Sequence, residues 1–558
     1  MNIYVDKLPS RQPDNTWIGV DTELFGMDKA RLHRPDNGTF ASLQVAIGED
    51  VYITTDENIV PIMLQRVDNC IWALMNAKFD LAHLSRWAEI SRETKIWDIM
   101  LIDRILYGGY FTNFSLADLV RRHLNILLEK EIREGFETAT ELTPELLEYS
   151  AKDPYYTLKV CQVQRKIADK NDFKVWKEID LPALWAIKDF KGFRVDVEKW
   201  KELAEENERL AQEYKETFEI NPASPKQVKE KLVELGVKGI KSTNEEALEE
   251  LIKKNPDSDI SDMAERVLQF RKKKKLSSTY GLNWAEKYIE EDECVHSDYY
   301  VIGASTGRTS SSKPNCQNIP VRSTPVFREC FIPKEGNSLV VADYSAQEPR
   351  IMAYLSQDKN LIEICNTGND IYIEIVKKMY DKEITKSDPF RDEAKEIILA
   401  AGYGLSVKGY AQKYNVSVKE AKERLATFFK LFPDIQNWVS KQELIHGYVE
   451  SVVGRKFHLN SYSYQRERHT RNAPIQSSAG DQLKASLGEI HKNWPTDLCE
   501  YGVVAEIHDE IIADVPKHCA DKIAEFIRGT MEDVAQKMCP GVRFFAHVVV
   551  CQDWSGGK

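Results

Sequence analysis

The sequence predicts an α/β protein of several domains, and three observations carry that prediction. At 558 residues the chain is too long for one hydrophobic core, which implies three or four domains. Short apolar, β-favouring runs end repeatedly in carboxylates, as from Trp17 to Asp21 and from Leu339 to Asp343. Long stretches of helical character separate them, residues 197–219 being the most charged. A hydrophobic fraction of 42% and a charged fraction of 29% describe an ordinary soluble protein. The ten cysteines are scattered with no C-x-x-C pair, so they read as reduced thiols and not as a disulfide framework or a zinc site. No signal core opens the sequence and no apolar run approaches spanning length, so a cytoplasmic protein with no membrane partner is expected. The net charge of −12 argues against a uniformly basic nucleic-acid coat but not against a local basic channel.

The first part carries four carboxylates and a tyrosine. Asp21 and Glu23 are two apart on a predicted strand, so both can face one cation. Asp80 follows the apolar run 71–75 and Asn76, again strand into carboxylate; Asn76 is expected to order the loop. Tyr149 and Asp153 share a helix face at i, i+4. Each motif is weak alone. Together and in this order they resemble the three motifs of DnaQ-like 3′→5′ exonucleases, in the form found with DNA polymerase I. Phosphodiester cleavage by two hard cations about 3.5–4 Å apart needs oxygen ligands of this kind. The resemblance implies that Asp21, Glu23 and Asp153 hold one ion, Asp80 supports a second, and Tyr149 orients the attacking water.

In the middle, residues 178–196 read as a helix, a glycine turn and a short strand. Polar residues before 225 and 245 are helix starts, with Ser242 or Thr243 a possible cap for the second. Arg271 to Lys275 are five consecutive basic residues followed by Ser278, Thr279 and Tyr280. Such a run is usually a solvated face; with hydroxyl donors after it, it also suits phosphate contact. It resembles the thumb-tip motif of family A polymerases, which implies backbone contacts by Lys275, Ser278 and Thr279.

The last part holds the most specific matches. Thr306 to Ser311 and Pro314 to Arg322 resemble the T-G-R-x-S-S…P-N-x-Q-N-I-P-x-R signature of family A, placing Arg308, Gln317, Asn318 and Arg322 at the primer–template. Minor-groove acceptors occur on every base pair, so contacts there are expected to test shape without reading sequence. Asp343, on its own, reads equally as an N-cap. With His508, Asp509 and Glu510 it resembles the paired palm motifs A and C, which implies Asp343, Asp509 and the Tyr344 backbone as metal ligands, Glu510 as a further catalytic carboxylate and His508 near DNA. Arg391, Lys395, Leu399 and Tyr403 fall four apart on one helix. They match motif B, which implies a triphosphate grip completed by Tyr372, Gln347 and the sugar-gating Glu348. Arg468, Asn472 and Gln476 match R-x-x-x-N-A-P-x-Q, a template and primer contact; residues 447–455 are the strand pair before that helix, and Val548 to Trp554 a final strand.

Departures from the family pattern are local. Motif A carries Ala346, Gln347 and Pro349 where Q-I-E-L is usual around Glu348, and Pro349 near a helix start is tolerable. Leu399 replaces an aromatic residue, which predicts discrimination against dideoxynucleotides.

The resemblance thus implies an RNase H-like 3′→5′ exonuclease domain over 1–168 and a right-hand polymerase after it. Within the latter, 169–300 is thumb with connecting palm, 301–360 the first part of the palm, 361–446 fingers and 447–558 the second part of the palm. The implied function is template-directed DNA synthesis with proofreading, by a monomeric replicative enzyme of bacteriophage type without a 5′-nuclease domain, in the host cytoplasm. Its implied cofactors are two magnesium ions at each site, with manganese as a substitute. Its implied partners are primer–template DNA, dNTPs and a replisome helicase or primase. The rivals are a single-subunit RNA polymerase, which Glu348 opposes, and a non-catalytic DNA-binding scaffold, which the complete carboxylate sets oppose.

Overall fold

A computed structural model describes residues 1–557 except 30, 32–33, 129–134, 321–324, 404–406, 415 and 460–465; of Tyr403 it describes the backbone alone. The chain forms two compact units. One comprises Met1–Lys191, Ser297–Gln317 and Val340–Val550; the other comprises Gly192–His296, Asn318–Leu339 and Cys551–Lys558. No helix among the described residues is long and apolar enough to cross a membrane.

The first unit opens with a six-stranded sheet: β1 (Asn2–Val5), β2 (Trp17–Phe25), β3 (Thr39–Ile47), β4 (Asp50–Thr54), β5 (Ile71–Leu74) and β6 (Lys95–Asp98), in the order β1-β4-β3-β2-β5-β6. The centre of the sheet mixes senses: β2 runs antiparallel to β3 and parallel to β5. Ile18, Val20, Leu43 and Val45 are wholly buried, as period-two alternation between two covered faces requires. The helix Pro144–Ile167, capped by Thr143 with Pro144 at its first position, crosses this sheet. It crosses at Gly19, where a Cβ would lie 2.0 Å from the carbonyl oxygen of Pro154, so only glycine admits the helix.

Most residues of a second, four-stranded sheet belong to the same unit. Its strands lie in the order Val503–Ile507, Glu510–Pro516, Asn337–Tyr344, Ala546–Cys551. Helices Gln347–Ser356, Pro389–Tyr403, Arg466–Lys492 and Ala520–Met538 contribute to one large apolar core with it, centred on Val340, Ala342, Ile351, Ile397, Leu483 and Ile511. Beneath this core lies a buried ionic network. Arg455 reaches Asp180 at 2.9 Å and Asp481 at 2.6 Å, Lys484 also pairs with Asp180, and all four are at most 3% exposed. Charges so deep are tolerable only because each faces an opposite charge.

In the second unit, helices Val197–Glu216 and Asp259–Tyr280 pack along each other around stacked Trp200 and Trp284, whose ring centroids are 4.0 Å apart. Phe327, Phe331 and Trp554 extend that aromatic cluster. A smaller core of Val228, Leu232, Leu248 and Met263 closes around helices Pro225–Glu234 and Glu245–Lys254. The second of these is capped by Asn244, whose side chain accepts from Ala247 N, and not by Ser242 or Thr243. Asn244 directly precedes the first helical residue, the position from which a short side chain reaches the free amides.

Candidate functional sites

The first site stands on β2 and the helix that crosses it. β2 continues past Glu23 to Phe25, so Asp21 and Glu23 are held mid-strand, on backbone more rigid than a strand end. Carboxylate oxygens of Asp21, Glu23 and Asp153 all lie within 4.8 Å of one another. The close crossing at Gly19 is what delivers Asp153, the residue before Pro154. Asp80 sits in the first turn of helix Ala77–Leu84 and is buried. Thr22, between the two strand carboxylates, donates both its backbone N–H (3.0 Å) and its hydroxyl (2.7 Å) to Asp80 Oδ1. Burial pushes the Asp80 carboxyl up to about 7, while the Thr22 bonds work the other way. Tyr149 lies one turn before Asp153, its ring against Phe136. Asn76 has φ 64° and forms the tight turn into the Asp80 helix. Asp98 fastens that turn, accepting from Ala77 N at 2.7 Å while capping the next helix through Met100 N and Leu101 N. Thr22, Gly19 and Asp98 were not among the expected site residues, although the buried polar Thr22 is the one residue between two strand carboxylates.

The second site is built at the four-stranded sheet. Asp343 is the penultimate residue of strand Asn337–Tyr344, and the backbone N–H of Tyr344 donates to Asp509 O at 3.3 Å. That bond sets the strand end beside the hairpin turn at His508 and Asp509, where His508 takes φ 62°. His508 is exposed, Asp509 half-buried and Glu510 wholly buried at the start of the returning strand. The Tyr344 hydroxyl is anchored inside by Ser486 Oγ (2.9 Å) and Met531 O (2.7 Å). Arg350 holds the turn after Asp343, donating to Ser345 O, Cys365 O and Arg543 O. Glu348 is ion-paired with Arg308 at 2.5 Å, and Arg308 Nε donates to Gln476 O at 3.3 Å. Gly307, at φ 82°, lets that segment pass over Arg455, whose Cδ would be 2.5 Å from a Cβ.

The cations of helix Pro389–Tyr403 gather on Tyr372. The Arg391 guanidinium lies 5.3 Å and the Lys395 ammonium 5.9 Å from its ring centroid. Arg391 also donates from Nε (3.0 Å) and Nη2 (2.7 Å) to Asp370 Oδ2, while Asp370 Oδ1 caps the helix of Tyr372. Burial raises the Tyr372 phenol, with Asp370, Glu348 and Asp509 adding to the rise, so Tyr372 lies in the field of both the sugar-gate candidate and a catalytic-carboxylate candidate. Leu399 is half-buried and packs on the main core.

Two residues expected to touch ligand are buried. Gln347 turns inward and donates to Ala479 O (3.2 Å) and Gln482 Oε1 (3.1 Å), because the left-handed turn at Ala346 aims the first helical residue at helix Arg466–Lys492. Asn472 is 6% exposed on the inner side of that helix, whereas Arg468 is exposed and Gln476 half-buried. Gln317 is half-buried and bonded to Thr309 and Glu506. In the second unit, Lys275, Ser278 and Thr279 are exposed on helix Asp259–Tyr280, and exposed Asn318 accepts the Tyr280 hydroxyl at its carbonyl. Arg322 and the Tyr403 side chain lie outside the described residues.

Residues 196–556 match the family model described as DNA polymerase family A, and residues 7–168 match that described as 3′-5′ exonuclease. The chain belongs to DNA polymerase family A. It is 30% identical over 422 residues to DNA polymerase I of Chloroflexus aurantiacus, covering 69% of this chain and 44% of that protein. It is 31% identical over 417 residues to the thermostable DNA polymerase I of Thermus aquaticus, covering 69% and 48%. The chain thus spans about half the length of these relatives. A solved structure titled as the POL domain of Pol1 from M. smegmatis in complex with DNA primer-template and dNTP shares the fold, with TM-score 0.84, 24% identity, and coverage of 97% of this chain and 96% of that one. The family A segment contains the four-stranded sheet, Asp343 and the turn at Asp509, and the exonuclease segment contains the Asp21, Glu23 and Asp153 cluster.

Proposed function

We propose that the chain extends a DNA primer along a template with dNTPs and removes misincorporated 3′ ends at a separate exonuclease site. The observation that carries the synthetic half is the Tyr344 N–Asp509 O bond, which sets two carboxylate-bearing segments side by side, with Tyr372, on whose ring Arg391 and Lys395 gather, in the field of Asp509. The editing half rests on the convergence of Asp21, Glu23 and Asp153.

Both donor sets are all-oxygen, which suits a hard divalent cation such as magnesium. Asp343 and Asp509, with the Tyr344 backbone, would hold it at one site; Asp21, Glu23 and Asp153, supported by Asp80, would hold it at the other. Bound there in pairs, such ions supply activation of the attacking oxygen and neutralisation of the leaving one. The chain's own residues do the rest. Arg391 and Lys395 bind the triphosphate by charge-assisted hydrogen bonds. Arg391 must leave Asp370 to do so, and Asp370 keeps it oriented until then. Glu348, held by Arg308, closes the space a ribose 2′-hydroxyl would need. Tyr149, on the face of Asp153, orients the water at the editing site. A mispaired end unpairs at lower cost and so enters the editing site more often. An editing segment joined to a synthetic one suits replication, and we extend the proposal to a bacteriophage replicative enzyme, to be checked by locating the encoding gene in virion DNA.

A labelled primer–template incubated with and without dNTPs tests both halves. Asp509→Ala is expected to abolish extension and keep 3′→5′ degradation, and Asp153→Ala to do the reverse. Undiminished extension by Asp509→Ala would remove the synthetic assignment.

A further inference from the structure

Glu506 is a carboxylate in a strand that is otherwise apolar, Val503–Ile507, and it is wholly buried. Its Oε2 accepts the Thr309 hydroxyl at 2.7 Å and Gln317 Nε2 at 3.3 Å. Gln317 Nε2 also reaches Thr309 Oγ1 at 3.3 Å. The directions in this triangle follow from the donor inventory. An ionised carboxylate only accepts, so Thr309 gives it the single hydroxyl hydrogen and must accept the bond from Gln317. Lys484 and Arg308 both favour the charged form of Glu506, against a burial that lifts its carboxyl to about 7. The nitrogen end of the half-buried Gln317 amide is thereby turned into the protein, and the end left to face outward is its carbonyl oxygen.

That polarity matters in a minor groove. Every base pair shows acceptors there, purine N3 and pyrimidine O2, but only G·C adds a donor, the guanine N2 amino group. An outward amide N–H would meet all pairs alike; an outward carbonyl oxygen meets only guanine. We infer that Glu506 is a positioning residue that fixes the polarity of Gln317, so that the contact accepts from the guanine amino group and discriminates G·C from A·T at one base pair of the bound duplex. This rests on the proposed DNA contact by Gln317, and it reverses the expectation that such contacts ignore sequence.

The test is single-turnover extension by the full chain on primer–templates altered one pair at a time behind the primer end. Inosine for guanine removes the N2 donor, and 3-deazaguanine removes the N3 acceptor. At one position inosine is expected to slow extension about fivefold, the worth of one net hydrogen bond, with 3-deazaguanine neutral. Gln317→Ala should abolish the inosine effect. Glu506→Gln, whose own amide can donate, should let the Gln317 amide turn over, shrinking the inosine effect and creating one for 3-deazaguanine. A general loss of packing would not exchange one sensitivity for the other, and the native-enzyme arm needs no variant to fold. If the native enzyme responds to 3-deazaguanine and not to inosine, and Gln317→Ala removes that response, the DNA contact stands and the polarity is overturned. If Glu506→Gln keeps the native pattern, Glu506 does not set it. If Gln317→Ala alters the response to neither analogue, the DNA contact itself fails and the inference with it.

Discussion

Single side chains decide how each site is tuned. Leu399 sits one turn beyond Lys395 on the helix that also carries Arg391, and under the proposed function it would offer an incoming nucleotide a surface without a hydroxyl. Leu399→Tyr is therefore expected to raise the use of dideoxynucleotides relative to dNTPs by about 5- to 10-fold, one hydrogen bond's worth. An unchanged ratio in a primer-extension ladder would show that Leu399 does not face the sugar. At the editing site, Thr22 offsets the cost of burying Asp80. The hydroxyl bond lowers the Asp80 pKa, so Thr22→Val should raise it further above about 7. A group whose pKa rises is less ionised at a given pH. The exonuclease pH–rate profile should then shift to the alkaline side and the rate near neutrality fall about 10-fold, with extension unchanged. A profile that stays in place would mean that Asp80 does not titrate in the rate. Asp21, Glu23, Asp343 and Asp509 were legible as residues because a carboxylate within or after an apolar run is conspicuous. Thr22 was not, because a threonine in a strand is ordinary until its partner 58 residues away is known.

At the scale of elements, both sites depend on how closely two segments approach. The helix Pro144–Ile167 meets β2 at Gly19 with no room for a methyl group. Gly19→Ala should cost about 1–3 kcal/mol through overpacking. Because a shift near 1 Å displaces Asp153, it should lower exonuclease rates about 100-fold. Primer extension should change little; equal losses in the two assays would mean that the helix moves as part of a larger rearrangement. Helix assignments could be read from periodicity, as with Val197–Glu216 and Pro389–Tyr403, whereas the strand pair expected over 447–455 from a family motif is found at Tyr448–Glu450 and Lys456–His458, its second strand just beyond those bounds. Two placements went otherwise. The cap at Asn244 replaced Ser242 or Thr243, since three polar residues in a row leave the starting residue open and the backbone alone settles it. Gln347 went inward because Ala346 adopts a left-handed turn that its residue type does not advertise.

Across the molecule, the buried network of Arg455, Asp180, Asp481 and Lys484 joins segments up to 304 residues apart. Removing one member leaves an uncompensated charge. Arg455→Met is accordingly expected to destabilise the fold by about 3–5 kcal/mol, read from the denaturant midpoint of the transition that includes this unit. A loss below about 1 kcal/mol would show that Lys484 alone neutralises both carboxylates. Read alone, the residues pointed to the α/β class through alternation and helical spacing, and through their resemblance to family A to a 3′-5′ exonuclease segment before a polymerase segment. Those are properties of local pattern, since alternation, helical spacing and dense motifs are written along a few consecutive residues. Which distant residues pair is visible in the fold alone: Thr22 with Asp80, Arg308 with Glu348, Arg391 with Asp370, Gln317 with Glu506. A hydrogen bond or ion pair between distant positions holds only while its separation stays within a few tenths of an ångström of its optimum, and no spacing along the chain encodes that.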